Sequence, residues 1–222
     1  MLITAMENCL IFGTGGHAKV VADILELSNQ WHVLGFVSKP AEKAKNSLFL
    51  ESPIVEQTKK ILESTPNGIV AIGDGNLRRE VSEQILKLCP SFNFISAIHP
   101  NAIVAKSAQI SHGCVIAAGA IINSGSNIQR HCLINTGSII EHDNELSAFV
   151  NIGPATATGG NVHIGLQSST GIGTVINQNL RIGNYTILGS GSIVTRDIPC
   201  SVIAYGNPCA VIRKRQKEER YL

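Results

Sequence analysis

Glu141-His142-Asp143 sets an imidazole between two carboxylates, at the end of the longer stretch Asn135-Thr136-Gly137-Ser138-Ile139-Ile140. A histidine titrates at about 6.5, so near neutral pH it can take a proton from a nucleophile such as an alkyl amine, which is otherwise largely protonated. Asp143 or Glu141 can hold one ring nitrogen, which fixes the tautomer and raises the basicity of the other. His142 and Asp143 are therefore the candidate catalytic pair. His112, His131 and His163 are read as surface or interface residues.

A second constellation lies near the start of the chain. Gly13-Thr14-Gly15-Gly16-His17-Ala18 has the order G-x-G-x-x-A, between an apolar run from Cys9 to Phe12 and a helical pattern through Val21, Ile24 and Leu25 to Leu27. A backbone that turns there can bring a diphosphate to a helix N-terminus. A nicotinamide enzyme would add an acidic residue after the second strand to hold the ribose, but Ser38 stands at that place. NAD is disfavoured, and two readings stay open: a phosphate cradle, or a tight turn that only packs helix on sheet.

Two segments with different periods must position these residues. Stepping by six from Ile98 to Val194 meets seventeen positions, fifteen of them aliphatic, and the residue four places after each is usually small, as in Ala102, Ala108, Cys114 and Ala120. That pattern suits short strands that turn a corner every hexapeptide, three strands making one eighteen-residue coil of a triangular prism. Positions eighteen apart then stack. His142 lies over Ser124 and under Gly160 and Gln178, Glu141 shares a column with Asn123 and Gly159, and Asp143 with Gly125 and Asn161. Gly159 and Gly160 remove the side chains above the imidazole, leaving room for a thin cofactor arm.

Residues 1–97 read differently, as a small Rossmann-like parallel α/β sheet. Strands are expected at Cys9 to Phe12, Val33 to Val37, Ile69 to Ile72 and Phe92 to Ile95, with a helix through Val81, Ile85 and Leu88. Residues 40–60 are Lys- and Glu-rich and read as a loop with a late helical tendency. The divisions are 1–97, a prism over 98–198, and a turn with a charged, helical tail over 199–222.

Composition narrows the function. The net charge of +2, from 18 basic and 16 acidic residues, gives no footprint for nucleic acid or anionic membrane, so small ligands are expected. The six cysteines have no CxxC spacing and no secretory leader before them, which points to reduced thiols and a cytoplasmic protein. No apolar run approaches the roughly 20 residues of a membrane span. Metal ligands on one prism face should be a multiple of eighteen apart, and His112, His131, His142 and His163 are not, so no metal is expected.

With these residues in view, the chain resembles the hexapeptide-repeat acyltransferases. Within them it is similar to the sialic-acid O-acetyltransferase and bacillosamine or perosamine N-acetyltransferase group. The resemblance runs from Gly13-Thr14-Gly15-Gly16-His17-Ala18-Lys19-Val20-Val21 through Ala71-Ile72-Gly73 with Arg78, Asn135-Thr136 and Glu141-His142-Asp143, to Gly206-Asn207-Pro208-Cys209-Ala210. It implies a left-handed prism, an exception to the right-handed crossover rule. It also implies a homotrimer with acetyl-CoA between neighbouring prisms, and a nucleotide-activated amino sugar held by the N-terminal domain for a bacterial surface glycan or lipopolysaccharide.

On that resemblance His142 is the base and Asp143 its support. Gly13, Gly15, Gly16, Gly73 and Arg78 meet the nucleotide or its phosphates, Asn135 sits near the sugar, and Gly160, Gly206, Asn207 and Pro208 line the CoA path. Ser38 and Lys39 occupy the place where family members often carry acidic residues toward the base, so UDP, GDP and dTDP all stay open. Asn151 stands where many members have a second histidine near the thioester. N-acetylation of a 4-amino-4,6-dideoxy sugar is expected, with O-acetylation of a sialic-acid-like sugar as the alternative and a non-catalytic trimeric sugar-binding scaffold as a distant one.

Overall fold

The computed structural model describes residues 6–38, 48–216 and 219. The N-terminal part runs β1 (Glu7–Phe12), α1 (Gly16–Ser28), β2 (Trp31–Ser38), β3 (Leu48–Phe49), β4 (Ser52–Glu56), α2 (Lys59–Ser64), β5 (Asn67–Val70), α3 (Gly75–Leu88) and β6 (Asn93–Phe94). Its sheet has the order β3-β4-β2-β1-β5-β6, parallel except for the β3–β4 hairpin. β1 is buried on both faces, as a central parallel strand requires. Cys9 and Ile11 pack with Ala18, Val21, Ile24 and Leu25 of α1, whereas Leu10 and Phe12 pack with Leu62 and Ile85 on the other side. The chain leaves β1 to one side for β2 and returns to the other for β5, so a crevice opens at the carboxyl ends of β1 and β5.

The loop expected over 40–60 contains, in its described part, the β3–β4 hairpin and the start of α2. Leu50 and Glu51, both at positive φ, close the hairpin, and the Thr58 side chain caps α2 by accepting from the Ile61 N–H. Neither turn residue is a glycine or asparagine, so nothing in the sequence marked the turn. Lys39 lies outside the described residues.

The repeat folds as a three-sided left-handed parallel β-helix, its strands β7 (Ala97–Ile98) to β23 (Ile193–Val194) each two residues long. Register is eighteen residues throughout, as in Val115↔Leu133, Ile121↔Ile139 and Asn127↔Glu145. Ile116, Ile122, Ile128, Ile134 and Ile140 fill the interior, with small residues such as Cys114, Ala120 and Ser126 buried at the corners. The corner hydroxyls are not wasted: Ser126 Oγ donates to the Glu141 carbonyl and Ser138 Oγ to that of Gly153, satisfying buried acceptors. Outward residues differ by face. The first face presents Ala97, Val115, Leu133, Asn151, Ser169 and Ile187, the second Ile103, Ile121, Ile139, Ala157, Val175 and Ile193, and the third Gln109, Asn127, Glu145, His163 and Arg181.

The N-terminal part docks on the first face, where Val115, Ala117 and Leu133 join one core with Ile11, Val21 and Ile24. After the prism, β24 (Val202–Tyr205) extends the first face and β25 (Ala210–Lys214) pairs with it antiparallel. The tail expected to be helical is thus a strand through Lys214, because Val211 and Ile212 carry β-branched side chains that pair readily with an open edge. Lys217, Glu218 and Arg220 lie outside the described residues.

His131 sits at the junction, 2% exposed, stacked 4.9 Å from Phe149 and edge-on to Phe94 at 4.7 Å, its Nδ1 without a partner. Burial, helped by His112, Arg78 and Arg130, lowers its pKa from 6.5 to about 3. The unfolded ring takes a proton near 6.5 while the folded one resists until near 3. The contribution is therefore complete above pH 6.5 and shrinks as pH falls from there toward 3. At pH 5 the loss is about 2 kcal/mol. Melts at pH 7.5 and 5 should show this drop, and His131→Phe should flatten it; equal melting temperatures for the native chain at both values would contradict it.

Candidate active site

His142 occupies the corner between the second and third faces, on the turn that joins β14 (Ile139–Ile140) to β15 (Glu145–Leu146). Buried Asn144 pins that turn, its amide donating to the carbonyls of Glu141 and Gly159. Asp143, at φ 58°, turns its carboxylate back so that Oδ2 lies 2.8 Å from His142 Nδ1. A carboxylate only accepts, so Nδ1 carries the hydrogen and Nε2 keeps its lone pair. Glu141 instead accepts from the His142 backbone N–H at 3.4 Å. The imidazole is 62% exposed and holds this orientation at the rim of the prism.

The glycine above the ring has a specific cause. A Cβ on Gly160 would overlap His142 Cε1 and Nε2, and one on Gly159 would strike the backbone of Gln178. The room expected there for a cofactor arm is therefore filled, by the imidazole itself and by the next coil. Gly125, one coil below, makes the same allowance for the Asp143 carboxylate.

In the N-terminal part, a cleft of about 860 Å³ opens at the carboxyl ends of β1 and β5. It gathers Gly13, Gly15, Gly16 and His17 after β1, Ser38 at the end of β2, Gly73 after β5, and Gln57, Leu77, Val81 and Gln84. α1 begins at this cleft with Gly15 as its cap, no side-chain capping bond and no acid in its first turn, so its amide end stays available to an anion. α3 differs, because Asp74 Oδ1 accepts from the Leu77 N–H. Burial, then Arg78, lowers the pKa of His17 to about 4, leaving it neutral at pH 7. Sequence reasoning missed His17, Gln57 and Gln84 as lining residues. His17 lay in the quoted loop; the two glutamines carried no signal.

Three expectations meet a different placement. Arg78, expected at the nucleotide, is 1% exposed, and its guanidinium donates to the carbonyls of His131, Ile72, Gly73 and Phe149 at 2.7–3.3 Å. With those bonds made it serves as a strut between the N-terminal part and the prism, not a phosphate ligand. Asn135 lies at the far edge of the second face from His142, its Nδ2 donating to the Ile152 carbonyl at 2.8 Å, so one chain does not bring the two together. Asn151 is on the first face, 3% exposed with Oδ1 unpartnered, too enclosed to meet a thioester. Gly206, Asn207 and Pro208 turn over the top of the second face, held by the Ile193–Gly206 and Cys209–Ile193 backbone bonds. Among the described residues, no three His, Cys, Asp or Glu side chains are placed to hold a metal ion, and no helix is long and apolar enough to cross a membrane.

The chain is similar to known sugar acetyltransferases. The family model described as the PglD N-terminal domain matches residues 8–85. UDP-N-acetylbacillosamine N-acetyltransferase of Bacillus subtilis (strain 168) is 33% identical over 116 residues, 51% of this chain and 52% of the relative, so the chain spans about half the length of that curated relative. PerB from Caulobacter crescentus, solved in complex with CoA and GDP-perosamine, is 33% identical with a TM-score of 0.85, covering 94% of this chain and 98% of that one. The acetyltransferase domain of PglB from Neisseria gonorrhoeae FA1090, solved with acetyl coenzyme A, is 30% identical with a TM-score of 0.83, over 94% and 100%.

Proposed function

The chain belongs to the sugar N-acyltransferase family, and from that premise we propose that it moves the acetyl group of acetyl-CoA onto the amino group of a nucleotide-linked 4-amino-4,6-dideoxy sugar. The observation that carries this reading is the His142–Asp143 pair, with Nδ1 held by the carboxylate and the imidazole exposed at the rim of the prism. Nε2 takes the proton as the amine nitrogen bonds to the thioester carbon. Collapse of the tetrahedral intermediate breaks the C–S bond, and the imidazolium returns a proton to the departing thiolate. Backbone N–H groups of a neighbouring coil edge would hold the oxyanion.

The cleft between β1 and β5 supports the nucleotide, its diphosphate against the first turn of α1. Its base stays open between UDP, GDP and dTDP. A homotrimer is supported by the second face. All its outward residues are apolar, Ile103 is 64% exposed, and the third face is polar throughout. A second copy laid on that face would bring its far edge, with Asn135, toward His142 of the first, assembling from two chains what one holds apart. Six free cysteines fit a cytoplasmic setting, and the sugar class fits a role in bacterial surface-glycan synthesis.

The test is to supply acetyl-CoA with UDP-, GDP- and dTDP-linked 4-amino-4,6-dideoxy sugars and follow both acetylated product and released thiol. Product from one of them with the native chain, and almost none with His142→Ala, is expected. No product from any would sink the reading.

A further inference from the structure

Three strand ends stand in a row along the cleft at the glycine loop. The Gly13 N–H donates to the Val37 carbonyl at 2.9 Å, which ties the loop after β1 to the end of β2. Ser38, the last residue of β2, is in register with Glu56 at the end of β4. Gln57 follows one residue beyond, two strand spacings or about 10 Å from the loop. The facing wall comes from α3, where Leu77, Val81 and Gln84 are four and three residues apart and so share one side of the helix. With Val37 and Ile72 they make an apolar slot that carries two amides, those of Gln57 and Gln84.

Among the described residues that line the cleft, none is Asp, Glu, Lys or Arg. That absence of charge bears on the base. Guanine presents N1–H and a 2-amino N–H side by side, a pair that the two oxygens of one carboxylate meet with charge-assisted bonds. Uracil and thymine present N3–H beside the O4 carbonyl, one donor and one acceptor, and a glutamine amide answers with one acceptor and one donor. Gln57 is half-buried, so water competes less for its amide than for that of exposed Gln84.

Resting on the nucleotide-sugar reading above, we infer that the cleft selects a pyrimidine, uracil or thymine, over guanine, and that Gln57 makes the choice. Its Oε1 accepts from N3–H and its Nε2 donates to O4, while the diphosphate lies at the first turn of α1 and the ribose passes the end of β2.

Calorimetry of UDP, dTDP and GDP against the native chain, Gln57→Glu and Gln84→Glu tests this. The native chain should bind UDP or dTDP at least tenfold more tightly than GDP. A carboxylate at position 57 keeps the acceptors and loses the donor, so Gln57→Glu should move that ratio about tenfold toward GDP. Gln84→Glu repels all three diphosphates alike and should leave the ratio where it was. GDP bound as tightly as the pyrimidine nucleotides by the native chain, or a ratio that Gln57→Glu does not move or that Gln84→Glu moves as far, overturns the inference and leaves the nucleotide reading standing. If the native chain binds none of the three, the nucleotide reading itself fails and this inference with it.

Discussion

His142→Ala should lower kcat for acetyl transfer by about a hundred- to ten-thousandfold, the usual worth of a positioned general base. KM for acetyl-CoA and for the nucleotide sugar should stay within a small factor, because a general base acts in the transition state and, among the described residues, the ring is held by Asp143 and lies under Gly160. The ring is largely exposed, so the fold loses little, and thermal melts of native and variant chains should nearly coincide. That separation makes the result informative. A large fall in kcat with an unchanged melt assigns the loss to chemistry; an unchanged kcat would remove His142 from the mechanism, whatever the fold.

The largest effect on stability is expected at Arg78. Arg78→Met keeps much of the side-chain volume but strips the donors from four carbonyls, on Ile72, Gly73, His131 and Phe149. The His131 and Phe149 carbonyls become buried acceptors without this donor, while those of Ile72 and Gly73 are part-buried at the cleft, and each buried acceptor left unsatisfied costs about 1–3 kcal/mol. Burial lowers the guanidinium pKa to about 10, so it remains charged at neutral pH and its bonds are charge-assisted. Two of the acceptors lie in the N-terminal part and two on the prism, so the variant should loosen their docking and unfold at lower denaturant concentration. Arg78→Lys should not rescue it, since one ammonium cannot span acceptors arranged around a planar fork. A urea titration that shifts by less than about 1 kcal/mol would show the strut to be dispensable.

Much of this was legible in the chain because the prism is written in its period. Every interior position from Ile116 to Val194 follows the six-residue step, and the eighteen-residue columns alone put Gly160 over His142. The same columns could not say what the glycine was for: room for a cofactor arm and room for the imidazole look alike in sequence, and only the ring's lean separates them. Arg78 was misread for a related reason. An arginine after a glycine-rich turn at a strand end suggests a phosphate ligand, but here helix α3 turns that position inward, beside Ser82 and Ile85. Asn135 and His142, seven residues apart, looked like partners, and the prism places a full face between them. The β3–β4 hairpin was hidden because Leu50 and Glu51 adopt positive φ without the residue types that usually announce it.

If a second copy completes the proposed acetyl-transfer site, that site takes His142 from one chain and Asn135 from its neighbour. It is tested most directly by mixing two inactive variants, His142→Ala and Asn135→Ala, after unfolding and refolding them together. Random mixing in a head-to-tail ring leaves about a quarter of the interfaces with both native residues, so about a quarter of native activity should return. If the mixture is no more active than the two variants refolded apart, the site does not combine His142 and Asn135 across chains, and the account is wrong.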